Sequence, residues 1–360
     1  GNLLNEDLLT LKRFAEAADL PEPCSTVSLY GDETSLLGAQ GEMEAADLVV
    51  LVGLAPSQWE RVFPALDVRL RQMVRQGGKL VVINADDTRI SEVAHVVVTG
   101  DETASLVALA KALEGKETAM SPESGEDGSP VTEEIVRAAA LYGEARRPLI
   151  VTLPALCQVS RIVTVKKGEI LSVPFDANAK GVLLMGFTGR AKGDGRLVKN
   201  GSDVLYALGD LAFDRPEDVG YVIGQCSHLT GLARDADLVL PVTTAYESHG
   251  TIVDYGGNLR TLAPTVAPYA ESRLHRDILH GVAEKLGLNV MVATAEDVVE
   301  QVQRFRFEKP FPFPVEKRTD LLSNPRDPLL GHEGPAAHSP RLARLHGVNA
   351  LHGRDIAGAV

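Results

Sequence analysis

The sequence predicts an α/β fold: two doubly wound, mostly parallel sheets, followed by an extended C-terminal tail. Three observations carry this. Apolar runs without alternation, such as Leu48 to Gly53 and Val204 to Gly209, stop at glycine, as strands covered on both faces do. Segments with apolar residues at helical spacing stand between such runs. After Phe307 the apolar period ends, and proline, arginine and histidine accumulate.

The chain enters on what reads as a helix. Ala46-Asp47-Leu48-Val49-Val50-Leu51-Val52-Gly53 is a central parallel strand. From Gln58 to Gln76, residues Val62, Leu66, Leu70, Met73 and Val74 share one helix face, and Gly77-Gly78 stops the helix. Lys79 to Asn84 and His95 to Val98 are the next strands, and Thr103 to Leu113 the next helix. Lys116 to Pro130 is rich in Glu, Ser, Gly and Pro and reads as an exposed linker. Val131 to Ala145 is a helix with Glu133 and Glu134 in its first turn, and Arg147 to Thr152 is a strand.

The logic then repeats. Strands are predicted at Asp203 to Asp210, Tyr221 to Gly224 and Ala236 to Pro241, and helices at His275 to Leu286 and Ala295 to Phe305. The expected domains are therefore 1–155, containing the linker 116–130, then 156–306, then a tail or arm over 307–360.

Of the 360 residues, 44% are hydrophobic and 24% charged, enough to bury a sizeable core of Leu, Val, Ile and Ala given only 5% aromatics. The net charge of −13 argues against nucleic acid and against adhesion to anionic lipid. No apolar run approaches the roughly 18–20 residues needed to cross a bilayer, and no basic-then-apolar start marks a signal peptide. Cys24, Cys157 and Cys226 lie far apart without C-x-x-C spacing, so neither an iron–sulfur cluster nor a tetrahedral zinc site is expected. His332, His338, His346 and His352 are too widely spaced for a compact metal site. Gly186 to Gly195 is glycine-rich and basic but lacks the order of a P-loop. Glu247-Ser248-His249 lacks the G-x-S-x-G elbow of a hydrolase, so Glu247 is read as a structural hydrogen-bonding residue. Asp235 and Asp237 flank a strand start and are expected to cap it.

Several stretches together resemble the molybdopterin oxidoreductase superfamily. Ala46 to Pro56 is similar to the family's A-D-x-I-x-x-x-G-x-N-P segment, and Gly78 to Thr88 to its G-x-K-x-I-x-I-D-P-R-x-T. Thr99-Gly100-Asp101-Glu102-Thr103-Ala104-Ser105-Leu106 resembles P-G-T-D-x-A-L, and Asn178-Ala179-Lys180-Gly181-Val182 resembles N-x-x-G-A. Ala236 to Pro241, Glu247 to Thr251 and Gly256 to Arg260 are similar to A-D-V-V-L-P … E-x-x-G-T … N-x-E-G-R. Val266 to Ile278 resembles V-x-P-x-G-E-A-x-x-D-W-x-I-L. The likeness runs from Leu3 to Leu288 and leans toward the large iron–sulfur subunits of complex I-type NADH:quinone oxidoreductases and toward NAD-linked formate dehydrogenases.

In that family a molybdopterin guanine dinucleotide is held by loops after the strands, where phosphates meet backbone N–H groups. Here Ala55 replaces the Asn of G-x-N-P, and Asn84-Ala85-Asp86 replaces D-P-R, putting an acid where the family has a base. The turn at 99–103 still offers backbone N–H groups, with Asp101 and Glu102 satisfying a helix dipole. The resemblance thus implies a non-catalytic structural subunit or domain beside an iron–sulfur segment, cytoplasmic and peripheral to the inner membrane. It would have no catalytic, metal-binding or cofactor-binding residues of its own, with iron–sulfur clusters in an adjoining segment or partner subunits. The alternative is one half of a split molybdenum or tungsten oxidoreductase. In that case Asn84, Asp101, Asn178, Glu247 and Arg260 would lie near the dinucleotide.

Overall fold

The computed structural model describes residues 3–27, 33–37, 41–57, 64–114, 131–164, 167–174, 176–187, 202–211, 214–229, 231–254 and 257–308. The linker, most of the 186–195 loop, the tail from 309 with its four histidines, and the predicted helical start at Gln58 lie outside them.

In chain order the elements are α1 (Asn5–Ala17), β1 (Leu48–Val52), α2 (Pro64–Arg75), β2 (Lys79–Asn84), β3 (Val96–Thr99) and α3 (Glu102–Leu113). Then come α4 (Glu133–Glu144), β4 (Pro148–Thr152), α5 (Cys157–Thr164), β5 (Glu169–Ser172), α6 (Ala179–Leu184) and β6 (Val204–Leu208). The chain continues through β7 (Tyr221–Cys226), β8 (Leu238–Pro241), β9 (Gly250–Val253), β10 (Leu259–Leu262), α7 (His275–Lys285) and α8 (Ala295–Glu308).

The structure divides into two bodies. One, within 33–174, holds a parallel five-stranded sheet of order β3-β2-β1-β4-β5. The chain winds outward from β1 to β3, then returns to place β4 on the other side of β1, so the switch point lies between β1 and β4. Every residue of β1 is buried, which explains why its sequence runs apolar without alternation. Leu48, Val50 and Val52 join Leu106, Leu109, Ile135, Tyr142, Val159 and Val163 in one core under α3, α4 and α5. Each such Leu, Val or Ile contributes about 1.5–3 kcal/mol of burial. Asp101 caps α3 by accepting the Ala104 N–H at 2.8 Å, and Thr132 caps α4.

The other body joins α1 to 176–308. Its parallel sheet has three strands in the order β6-β7-β8, and β9 and β10 form an antiparallel pair. Phe14 of α1 packs with Leu279, Ala283 and Val290, and its ring meets Tyr206 edge-on at 6.2 Å.

The α/β class and the parallel sheets are as the sequence predicts, but the division at 155 is not where the structure divides. The helix α5 and the short strand β5 complete the first sheet, moving its end to 174. Eight helical and four strand residues are too short for a periodic signal. The helix α1 packs on α7 and β9, elements that enter more than two hundred residues later, so no local pattern could assign it.

One device recurs at the amino ends of the strands. The Asp47 carboxylate, just before β1, accepts the N–H groups of Arg146 (2.7 Å) and Arg147 (2.8 Å) at the start of β4. Asp237, before β8, accepts the Val222 N–H at 2.7 Å and pairs with Arg215 at 2.9 Å. His95 takes the same position before β3, with Nδ1 accepting the Leu80 N–H at 3.2 Å. The Ala-Asp motif therefore clasps neighbouring strands, which is the capping role expected of Asp237.

Candidate functional site

The carboxyl edges of the two parallel sheets are where a doubly wound fold presents its ligand site. At the five-stranded sheet, the residues after β1 are Gly53, Leu54 and Ala55, and those after β2 are Ala85, Asp86 and Asp87. Gly53 has φ +66°, and a Cβ placed there would run into Leu156 Cδ1. Leu156, itself buried, therefore packs directly against this glycine.

Four N–H groups at this edge have partners within the chain. Gly53 donates to the Ile83 carbonyl at 3.0 Å, and Gly100 to the Asn84 carbonyl at 3.0 Å. Ala85 donates to Glu102 Oε1 at 2.9 Å, and Thr88 to Asp87 Oδ1 at 2.9 Å. Glu102 is buried, so it does more than meet a helix dipole: its carboxylate bridges the start of α3 to the turn after β2. In the turn at 99–103, expected to offer N–H groups, that of Gly100 goes to the Asn84 carbonyl, and just beyond it Asp101 takes that of Ala104. Asn84 is buried and donates its amide to the Leu54 carbonyl at 2.9 Å, while its Oδ1 has no hydrogen-bond partner. A nearby cavity of about 610 Å³ is lined by Asp87, Glu92, Arg89 and Thr99 among others, two carboxylates to one guanidinium.

At the three-stranded sheet, Gly209-Asp210 follows β6 and Ser227-His228 follows β7. Asp210 accepts the Ser227 N–H (2.8 Å), the His228 N–H (3.1 Å) and the Ser227 hydroxyl (2.6 Å), with His228 Nδ1 at 3.0 Å. Burial pushes this carboxyl up, but the bonds from Ser227 and His228 outweigh it and hold it below the usual range. Behind it, on β7, the buried Gln225 accepts from His275 Nδ1 at 2.9 Å and donates to the Tyr206 hydroxyl. Desolvation drives His275 down to about 4, although Asp210 pulls it the other way.

The residues tied to a dinucleotide under the alternative are scattered in role. Asp101 is a helix cap. Glu247 accepts from the Thr244 N–H (2.7 Å), the Thr244 hydroxyl (2.9 Å) and the Tyr269 N–H (2.9 Å), pinning its loop. Ser248 Oγ lies 2.8 Å from Thr243 Oγ1 and donates to the Thr244 carbonyl at 2.7 Å, an arrangement without a nucleophile–base pair. Arg260 pairs with Asp254 at 2.7 Å across the β9–β10 turn. Asn178 is fully buried and donates to the Leu3 carbonyl (2.7 Å) and Asn5 Oδ1 (3.0 Å), while its own Oδ1 accepts the Val253 N–H (2.8 Å).

Asn178 belongs to a buried polar network that the sequence did not disclose. Asn5 donates to Thr251 Oγ1 at 3.1 Å, and Glu6 accepts the Thr251 N–H at 2.8 Å. Asp7 pairs with Arg276 at 3.1 Å, and Arg276 also donates to the His249 carbonyl at 2.8 Å. Two glycines are obligatory here: a Cβ on Gly181 would overlap Asn178 and Asn5, and one on Gly250, at φ +149°, would meet Glu6. The N-x-x-G and G-T motifs are thus seats for the first turn of α1. Three polar residues in a row, Asn5-Glu6-Asp7, opening an amphipathic helix were the available signal.

Among the described residues no group of three His, Cys, Asp or Glu side chains is placed to hold a metal ion. Cys157 and Cys226 are buried and Cys24 is exposed; none forms a disulfide. No described helix is long and apolar enough to cross a membrane.

The sequence pattern of molybdopterin oxidoreductases matches residues 12–285. The chain belongs to the molybdopterin oxidoreductase family. It is 29% identical over 169 residues to NADH-quinone oxidoreductase subunit 3 of Thermus thermophilus, a stretch that is 44% of this chain and 21% of that protein. The chain therefore spans about a fifth of the curated relative it matches. Among solved structures, it superposes with a TM-score of 0.51 and 17% identity on a chain of the formyltransferase/hydrolase complex of Methylorubrum extorquens, over 79% of this chain and 89% of that one. Acetylene hydratase of Pelobacter acetylenicus gives a TM-score of 0.51 at 13% identity, over 78% and 53%. These likenesses are likenesses of fold.

The family implies a pterin dinucleotide, and part of the edge where its diphosphate would sit is already paired within this chain. Leu156 packs against Gly53, Glu102 holds the Ala85 N–H, and Asp210 holds those of Ser227 and His228.

Proposed function

We propose that this chain is a non-catalytic structural subunit or domain of an NADH:quinone oxidoreductase-type electron-transfer complex. On this reading it supports an adjoining iron–sulfur segment, at the cytoplasmic face and peripheral to the inner membrane. The observation that carries the reading is that this chain's own carboxylates hold N–H groups at the carboxyl edges of both sheets, Glu102 that of Ala85 and Asp210 those of Ser227 and His228. The distant similarity to subunit 3 of a bacterial NADH-quinone oxidoreductase supplies the kind of assembly.

Affinity isolation from the native membrane fraction tests it. The chain should co-purify with iron–sulfur proteins and NADH-oxidising activity, and its deletion should lower the yield of the assembled complex. Isolation with neither contradicts the reading.

The second reading, half of a split molybdenum or tungsten oxidoreductase, has one observation in its favour. Asn84 Oδ1 is a buried acceptor without a partner at the end of β2, and Thr103 Oγ1, in the first turn of α3, is likewise unpartnered. Molybdenum and tungsten analysis with pterin fluorescence on the native assembly separates the two.

A further inference from the structure

The Asp210 site has the donor set of an anion cradle. Two consecutive backbone N–H groups, a hydroxyl and an imidazole nitrogen converge on one carboxylate at the carboxyl end of a parallel sheet. Successive N–H groups in a turn are the usual receptor for a phosphate. Here no ligand is needed to complete the set, because the anion is covalently part of the chain. It arrives from the neighbouring strand, seventeen residues away in sequence.

We propose that Asp210 is a built-in anion that occupies a phosphate-type nest formed by Ser227 and His228, so that this edge is closed to phosphate-bearing ligands until the carboxylate is removed. The geometry favours the closed state on two counts. The carboxylate is held at fixed distance and pays none of the translational entropy of a free ligand. Its charge also repels a second anion from the same donors. Glu102 plays the parallel part in the other body, where it takes the Ala85 N–H from within a buried position.

This deepens the structural reading above, since a scaffold that retains the fold but not the ligand must satisfy the donors the ligand leaves behind. Its test is separate from that of assembly, because it uses the isolated 360-residue chain and a small anion. Equilibrium dialysis against labelled pyrophosphate is run on the unaltered chain, on Asp210→Ala and on Asp210→Ser, each checked for folding by circular dichroism. The second variant guards against misfolding of the first, since a serine can still accept one of the freed N–H groups.

The unaltered chain should retain no pyrophosphate above the chloride control. At least one folded variant should bind it roughly tenfold more strongly, and adding Ser227→Ala to that variant should reduce the gain. Saturable binding by the unaltered chain overturns the proposal. So does a pair of variants that gain nothing, because the carboxylate would then not be what closes the site.

Discussion

Asn178 donates an amide hydrogen to Asn5 Oδ1 at 3.0 Å across 173 residues of sequence. This bond fixes the first turn of α1 to the loop before α6, and with it the start of the chain to the body that contains the three-stranded sheet. Both side chains are fully buried, so each polar atom needs its partner.

Asn178→Ala should therefore destabilise this body by about 3 kcal/mol or more, because it strands the Val253 N–H and the Leu3 carbonyl together. Amide exchange at Val253 is the local readout and should accelerate on the order of 100-fold. Gly181→Ala should be damaging alone and only partly relieved in the Asn178→Ala background, since the clash with the Asn178 amide is removed but that with Asn5 Oδ1 remains.

Arg276→Met should cost about 3–5 kcal/mol at neutral pH by leaving Asp7 buried without its cation. Burial already raises Asp7 above the usual carboxylate range, against the pull of Arg276. Without the arginine it rises further. The folded state then holds a proton that the unfolded state has released, so stability falls as pH rises through that window. Urea midpoints should show the variant less impaired at acid than at alkaline pH, relative to the unaltered chain.

His275 supplies the opposite sign. Its folded pKa is about 4, below the ordinary 6.5, because desolvation disfavours the imidazolium. Between those values the unfolded state binds more protons. The contribution is fully present above 6.5 and is lost as pH falls toward 4. His275→Gln should flatten that part of the stability profile while other carboxylates continue to titrate, so the difference between the two profiles is the quantity to read.

Asp47→Ala should weaken the junction of β1 and β4 by about 1–3 kcal/mol, by freeing the Arg146 and Arg147 N–H groups. Asp47 sits below the usual carboxylate range because those bonds outweigh its desolvation. Its contribution is therefore present above the unfolded value of 3.8 and is lost as pH falls through the folded one. Thermal unfolding across that interval, with and without Asp47, gives the check.

The strands β1 and β2 were legible because full burial erases alternation, and α3 and α4 because acids, Asp101 and Glu102 or Glu133 and Glu134, mark their starts. The fold class followed from their order. What was hidden were pairings between distant segments. Asn5, Glu6 and Asp7 look like ordinary first-turn residues, and only Thr251 and Arg276 make them a buried network. Glu102 looked like a helix-dipole acid because Ala85, which it holds, belongs to another turn. The replacements at Ala55 and Asn84-Ala85-Asp86 could be read from sequence, but not the packing of Leu156 against Gly53.

Metal and pterin analysis of the isolated 360-residue chain bears most directly on the claim that it is a scaffold without redox equipment. The account predicts iron, molybdenum and tungsten all well below one per chain, with no pterin fluorescence after oxidation. Stoichiometric molybdenum or tungsten together with a pterin would contradict it.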